Sequence, residues 1–419
     1  MKYAHFADLH LGAWREPVMR DLSTKAFLKG IDECIVEKMD FILFAGDLFN
    51  TSLPSLDTLK IVVRKLRELK EKNVPLYVIA GSHDFSPSGK TMIDVLEQAG
   101  LLENVCKGRI DPDTRSLHLT FTQDPKTGVK MAGIVGRKGQ LDQRYYENLA
   151  LEHLEQEEGY KIFMFHTTVS ELLARDMAMI ESQSLSVFPK GFNYYAGGHI
   201  HHPAKVELPD YECVTYPGAM FPNSFAEIEK YGCGGYYVVS TEVASTESVS
   251  QKVNWRRLEV CPAVSLVFDV HNKTAAQAMR EMEEVISEKG NKGLFQGVIV
   301  TLRISGTLSQ GRPHDLSFTE IFGKIQSYGA LNVMKNTIKL LSQEFEQIMI
   351  SSASSENMEE DIIREHQGQN SFIADEHYRG LVLSMLGVLN TTKREGETVT
   401  DFTRRIEGEM DKMFLIKNE

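Results

Sequence analysis

No apolar run in this 419-residue sequence approaches the roughly 20 residues that a membrane-spanning helix needs, so no spanning segment is expected. Cysteine is scarce. Cys34, Cys106, Cys213, Cys233 and Cys261 are scattered singly, odd in number and without a C-x-x-C pair, which excludes a disulfide framework and a zinc ribbon and leaves reduced core residues. Basic residues are in deficit as well: the net charge of −12 has the wrong sign for a protein that binds nucleic acid with its whole surface, so any DNA contact has to be local. Residues 351–419 hold 14 acids and 8 bases, half of the whole excess, and that tail is not expected to touch DNA. Internal repeats, a Walker-A pattern and a G-x-S-x-G elbow are all missing, so ATP hydrolysis, if needed, comes in trans.

What is present is an ordinary globular composition, 42% hydrophobic and 25% charged, over a length that predicts two or three domains. Asp8, a candidate ligand, stands where a signal peptide would have to be removed, which predicts a cytoplasmic chain.

The stretch Gly197-Gly198-His199-Ile200-His201-His202 follows the apolar run Phe192–Ala196 and sets two imidazoles one residue apart, able to aim at one spot beyond a strand end. A bare His-x-His is common; four further strand ends give it weight. Asp8-Leu9-His10 follows Lys2–Ala7, Gly46-Asp47 follows Phe41–Ala45, Gly81-Ser82-His83-Asp84 follows Leu76–Ala80, and His166 follows Ile162–Phe165. Ligands of open α/β sheets gather outside the carboxyl ends of strands, so these five ends point to one metal site.

The order D-x-H, G-D, G-S-H-D, H and G-H-x-H resembles the calcineurin-like metallophosphoesterase superfamily, over about half of the chain. Within it, Ala45-Gly46-Asp47-Leu48-Phe49 and the long tail are similar to the SbcD family, the nuclease subunit of the double-strand-break repair complex, called meiotic recombination eleven in eukaryotes. The resemblance implies two divalent metal ions per chain, Mn²⁺ by family habit, although imidazole with carboxylate also suits Fe²⁺ or Zn²⁺. By position in the family pattern, Asp8, His10 and His201 hold one ion, His166 and His199 the other, and Asp47 bridges them. Such a pair supplies a hydroxide at neutral pH and cationic stabilisation of the developing charge. His83 then orients the phosphate or protonates the leaving oxygen, and Asp84 supports a ligand or the loop backbone.

Two positions depart from the family pattern. Ser82 replaces an asparagine whose carbonyl oxygen binds the second ion, which predicts a looser second site. Asn50 stands where relatives often carry a phosphate-positioning histidine, and it can donate a hydrogen bond but not carry a proton.

The apolar spacing of Phe27, Ile31 and Ile35, and of Leu59, Val62, Val63, Leu66 and Leu69, predicts two helices between the first strands, hence βαβ units. The expected fold is α/β: a calcineurin-like two-sheet sandwich phosphoesterase domain over residues 1–245, a small α+β capping domain over 252–345, a flexible linker over 346–373 and a helical hairpin over 374–419. The polar stretch Ser240–Gln251 reads as the connector between the first two. In the hairpin, Phe402, Ile406, Met410 and Met413 follow a Thr400 N-cap.

By resemblance the capping domain helps define the DNA substrate, and the hairpin docks on the coiled-coil base of an SbcC-type ABC ATPase. The expected function is metal-dependent 3′-to-5′ double-strand exonuclease and single-strand endonuclease action on DNA ends, in a homodimer. A small-molecule phosphodiesterase and a DNA-end scaffold with a weakened site are the alternatives. Arg137-Lys138, Arg144, Arg256-Arg257 and the group Lys60, Arg64, Lys65 and Arg67 are candidate DNA contacts, although a helix bearing Arg64, Arg67 and Lys70 is more often a solvated face.

Overall fold

The computed structural model describes residues 1–86, 89–137, 139, 141–173, 180–243, 249–343, 375–393, 397 and 399–415. In chain order the first half runs β1 (Lys2–Phe6), α1 (Pro17–Val36), β2 (Phe41–Ala45), α2 (Leu56–Glu71), β3 (Leu76–Ile79), α3 (Met92–Gln98) and β4 (Glu103–Asn104), followed by a small hairpin of β5 (Gly108–Ile110) and β6 (Leu117–Leu119). It continues with β7 (Thr122–Gln123), β8 (Lys130–Gly133), α4 (Gln143–Glu147), α5 (Glu152–Glu155), β9 (Lys161–His166), β10 (Tyr194–Gly198), β11 (Ala204–Leu208) and β12 (Tyr211–Tyr216). Then come α6 (Phe225–Tyr231), β13 (Gly234–Val243) and β14 (Val249–Leu258). Both helices expected from periodicity are present. Pro17 opens α1, where a missing N–H costs nothing, and the Ser55 side chain caps α2 by accepting from the Thr58 amide at 3.2 Å.

Two six-stranded sheets result, one ordered β14-β13-β1-β2-β3-β4 and the other β11-β12-β10-β9-β8-β7. Strands β1, β2, β3 and β4 are parallel neighbours, as are β8, β9, β10 and β12, so each sheet presents a row of carboxyl ends. Alternation then decides which side chains lie between the sheets. Tyr3, Phe41, Leu43, Tyr77 and Ile79 of the first sheet meet Met131, Ile162, Met164, Tyr194 and Ala196 of the second in one buried cluster, with Tyr3 stacked on Phe41 at 4.7 Å. The alternate residues face outward: Ala4, Phe6, Ile42, Phe44 and Val78 pack with Phe27, Ile31, Val62 and Leu66 of α1 and α2. Phe163, Phe165 and Tyr195 form the matching cluster on the second sheet. The α/β sandwich expected from sequence is thus observed.

The stretch Ser240–Gln251, expected as a connector, is instead strand on both sides of residues 244–248. β13 and β14 pair antiparallel from Gly234↔Leu258 to Val243↔Val249, and β14 is the outer strand of its sheet. An edge hairpin is solvated on one face, so Ser, Thr and Glu alternate with Val239, Thr241 and Val253 without leaving the sheet. The first sheet therefore runs to Leu258.

A third sheet joins β15 (Ala263–Asp269), β16 (Ile299–Leu308) and β17 (Asn332–Asn336), with β18 (Leu340–Ser342) also on β16; α7 (Ala275–Asn291) and α8 (Phe318–Ser327) accompany it. Two compact units are distinguished. One comprises Met1–Asp269, Arg280–Ile304 and Ser317–Ile338; in it Arg303 of β16 pairs with Glu229 of α6 at 2.8 Å. The other comprises Val270–Met279, Ser305–Leu316 and Lys339–Glu419. Within it α9 (Asp375–Leu389) and α10 (Val399–Leu415) pack together, Leu381 and Val388 being buried. Helix α10 starts one residue ahead of the expected cap Thr400. The expected linker, 346–373, lies outside the described residues. No helix among the described residues is long and apolar enough to cross a membrane.

Candidate metal centre

The carboxyl ends of β1, β2, β3, β9 and β10 deliver their polar residues to one place. Asp8, His10, Asp47, Ser82, Asp84 and His166 are all buried, between 0% and 6% exposed, which places charged and ligating atoms where an uncompensated ion would be costly. Alternation along β9 explains His166: it shares the face of Ile162 and Met164, turned toward the first sheet. Gly46, at φ +91°, makes room for it, since a Cβ there would meet the His166 Nδ1 at 2.2 Å.

Four of the residues that carry the polar groups adopt left-handed backbone although none is glycine: Asp8 (φ 52°), His10 (φ 42°), Asp47 (φ 52°) and His199 (φ 90°). Each such conformation costs about 1–3 kcal/mol and persists where surrounding structure enforces it. Here the enforcement is visible: the Asp8 amide donates to the Gly46 carbonyl at 3.2 Å, and the His10 amide to the Asp47 carbonyl at 2.9 Å. The His199 amide in turn donates to both Asp8 carboxylate oxygens, at 2.9 and 3.1 Å.

Three sets of side chains bring ligand atoms within 4.8 Å of one another: Asp8 with His10 and His201, Asp8 with Asp47 and His166, and His10 with Asp47 and His83. Asp47 and Asp8 each serve two sets. His199 joins none of the three through its ring, which lies 5.2 Å from the His166 ring, centroid to centroid. Ser82 Oγ reaches Asp47 Oδ2 at 3.5 Å, and the His83 amide donates to Asp47 Oδ1 at 2.7 Å.

The donor set suits a divalent cation. His166 donates from Nδ1 to the Ala45 carbonyl at 2.8 Å, which leaves Nε2 without a hydrogen-bond partner in a fully buried position, 3.2 Å from Asp47 Oδ2. His10 Nε2 and His201 Nε2 face each other at 3.1 Å, and the His10 Nδ1 is a second buried orphan. Imidazole nitrogens and carboxylates that converge this closely in a buried site are what a metal site looks like from the ligand side.

The electrostatics carry the same sign. Burial alone pushes Asp47 upward, but the charge of His166 outweighs it and holds the carboxyl ionised, well below the usual range. Burial depresses His166 too, and the Asp47 carboxylate more than reverses this, lifting it to about 10. His201 rises to about 9 against its burial because Glu227 hydrogen-bonds it, while burial lowers His10 to about 3 and His199 to about 4.

Around these groups lies a supporting layer. Asp84 accepts from the Leu48, Phe49 and Gly81 amides at 3.1, 2.9 and 3.0 Å, tying the loop after β2 to the loop after β3, and burial raises its carboxyl to about 7. His83 donates from Nδ1 to the Asn50 carbonyl at 2.8 Å, so its tautomer is fixed with Nε2 as the free nitrogen. Asn50 thus enters through its backbone. Glu227 was not picked out from sequence: its Oε1 meets His201 Nδ1 at 3.2 Å, and the Ser224 hydroxyl donates to that same oxygen at 2.9 Å. The Ser224-Phe225-Ala226-Glu227 capping pattern was legible as a helix start, but nothing in it pointed to His201. A cavity of about 450 Å³ opens at this flank, between His199, His201 and His202 on one side and Glu227, Lys230 and Tyr231 on the other.

The model of the family described as calcineurin-like phosphoesterase matches residues 1–203. The chain is similar to the DNA double-strand break repair protein Mre11 of Archaeoglobus fulgidus, 30% identical over 236 residues, which are 55% of this chain and 52% of that protein. The Mre11 protein of Methanococcus maripaludis is 29% identical over 56% of this chain and 61% of its own length. An uncharacterized metallophosphoesterase of Bacillus subtilis, YhaO, is 27% identical over 73% of this chain and 72% of its own length. The chain thus spans between 52% and 61% of these two Mre11 relatives. Among solved structures, a dimetal phosphatase from Danio rerio is matched over 62% of this chain at 11% identity, with a TM-score of 0.40.

The candidate DNA contacts fare unequally. Arg256 is paired with Glu37, Arg257 with Glu259 at 3.0 Å, Lys65 with Asp32 and Glu68 at 2.8 and 2.7 Å, and Arg67 with Glu71 at 3.0 Å. Lys138 lies outside the described residues.

Proposed function

We propose that this protein is a metal-dependent phosphodiester hydrolase acting as a nuclease on DNA ends in double-strand break repair. The observation that carries the reading is the convergence of two carboxylates and four or more imidazoles from five strand ends, in a calcineurin-like domain similar to proteins named for that repair.

In this reading Asp8, His10 and His201 hold one ion, His166 and His199 the other, Asp47 is shared, and Ser82 stands at the second. When bound, such ions activate water at neutral pH and neutralise charge on the phosphoryl oxygens. The chain's own residues do the rest. Glu227 orients His201 through Nδ1 so that Nε2 faces the centre. His83, with Nδ1–H donated to the Asn50 carbonyl, has Nε2 available to carry a proton to the leaving oxygen. Asp84 keeps the two loops in register through three amides.

The finer features of the proposal are Mn²⁺ as the ion, 3′-to-5′ exonuclease and single-strand endonuclease action, a homodimer, a cytoplasmic setting, and an SbcC-type ABC ATPase engaged by α9 and α10. A capping role for the segment that carries the third sheet, roughly residues 252–345, belongs to the same proposal. An assay of the full chain with Mn²⁺ on end-labelled and hairpin DNA, against a cyclic nucleotide, tests it. Cleavage of DNA with little cyclic-nucleotide turnover supports the nuclease; the reverse preference makes the protein a small-molecule phosphodiesterase.

A further inference from the structure

Four of the nine cations singled out from sequence, Arg256, Arg257, Lys65 and Arg67, are matched by carboxylates. Arg137 is different. Among the described residues it forms no ion pair; its guanidinium lies instead over the ring of Phe85 at 4.5 Å and near that of Tyr145 at 5.4 Å, and its buried Nε has no hydrogen-bond partner.

Its position is set by the centre itself. Gly136 donates its amide to the Ala80 carbonyl at 2.9 Å, immediately before the Gly81-Ser82-His83-Asp84 loop, and a Cβ on Gly136 would meet the His166 ring at 2.5 Å. The chain therefore passes against His166 as Gly136 and emerges as Arg137. Phe85, the residue after Asp84, then receives the guanidinium face. Two loops of the candidate metal centre thus fix one arginine between them, one residue beyond the innermost layer.

A guanidinium that lies over one aromatic ring and near a second has fewer rotamers open to it, and it matches a phosphate by a two-pronged contact that lysine cannot copy. A guanidinium stays protonated and offers no lone pair to a cation, so Arg137 is not part of the ligand shell. We propose that Arg137 grips a strand phosphate flanking the scissile one, so that the site selects polynucleotides over lone phosphodiesters. This rests on the phosphodiester-hydrolase reading above.

The test compares wild type with Arg137→Gln and Arg137→Lys on two substrates with Mn²⁺: a single-stranded oligonucleotide, and bis(p-nitrophenyl) phosphate, which has one phosphodiester and no flanking phosphates. For Arg137→Gln, kcat/KM on the oligonucleotide should fall about tenfold relative to kcat/KM on the small diester, mostly through KM. Binding of the same oligonucleotide by fluorescence anisotropy, which needs no turnover, should show a salt slope lower by about one in Arg137→Gln and retained in Arg137→Lys. Equal losses on both substrates accompanied by a lower Tm would reduce Arg137 to packing between Phe85 and Tyr145 and overturn the proposal, as would an unchanged salt slope. A wild-type protein that binds the oligonucleotide with an Arg137-dependent slope yet hydrolyses neither substrate would overturn the hydrolase reading and leave the phosphate contact standing.

Discussion

The Nε2 atoms of His10 and His201 lie 3.1 Å apart although the residues are 191 positions apart in the chain. One follows β1 of the first sheet and the other β10 of the second, so this contact joins the two layers at their carboxyl ends. Two neutral imidazole nitrogens cannot face each other at that distance unless a proton or a cation lies between them. The other face of His201 is turned to Glu227, so the carboxylate decides which nitrogen points inward.

Replacing Glu227 with Gln keeps the size but removes the charge that holds His201 Nδ1. Metal affinity should fall by about 10–100-fold, the usual consequence of losing an orienting partner, with only a small change in Tm. Calorimetric Mn²⁺ titration of the two proteins measures this; superimposable isotherms would show that His201 needs no such orientation.

Metal affinity should also rise with pH. A ligating imidazole has to be neutral, yet in the metal-free protein His166 and His201 are lifted to about 10 and 9 and so hold protons at pH 7. Binding displaces them, which gives about a tenfold gain per pH unit per proton between pH 7 and 9. The sign for stability is the opposite: without metal, these protons stabilise the fold fully below the free-histidine pKa of about 6.5, and that contribution is lost as pH rises through 9 to 10. Proton release on metal addition, measured in buffers of different ionisation enthalpy, checks the first statement; an affinity flat from pH 7 to 9 contradicts it.

Ser82→Asn places a carbonyl acceptor where the serine hydroxyl now reaches Asp47 only at 3.5 Å. Half-maximal activity should then come at lower Mn²⁺, with stability little changed. Matching Mn²⁺ activation curves for the two proteins would mean that the hydroxyl is already an adequate donor.

His83→Ala separates proton transfer from ligation. With Nδ1 bound to the Asn50 carbonyl, the loss of Nε2 should lower turnover about 10²–10⁴-fold while bound metal stays at its wild-type level. Because His83 also lies within ligand range of His10 and Asp47, loss of an ion in this variant would assign it to the coordination shell instead.

Much of this centre was legible before any coordinates, because the sequence alternates short buried strands with polar punctuation. An apolar strand that ends in Asp or His announces both its direction and its cargo, and Asp8, Asp47, His166 and His201 were readable for that reason. Glu227 was not, since a carboxylate 26 residues from its partner on a separate helix leaves no local pattern. Nor was the left-handed backbone at Asp8, His10, Asp47 and His199, which ordinary residues adopt only under tertiary constraint. The stretch Ser240–Gln251 was misread because composition reports exposure: a solvated edge hairpin and a connector are equally polar, and only pairing with β1 through β13 distinguishes them.

The central claim is that two ions share Asp47, and the measurement that tests it most directly is metal content together with DNA cleavage in wild type and Asp47→Asn. The wild-type protein should bind two Mn²⁺ per chain and cleave DNA, and Asp47→Asn should lose at least one ion and essentially all cleavage, because no other residue is assigned to both. Wild-type Mn²⁺ stoichiometry and undiminished cleavage in Asp47→Asn would contradict the account.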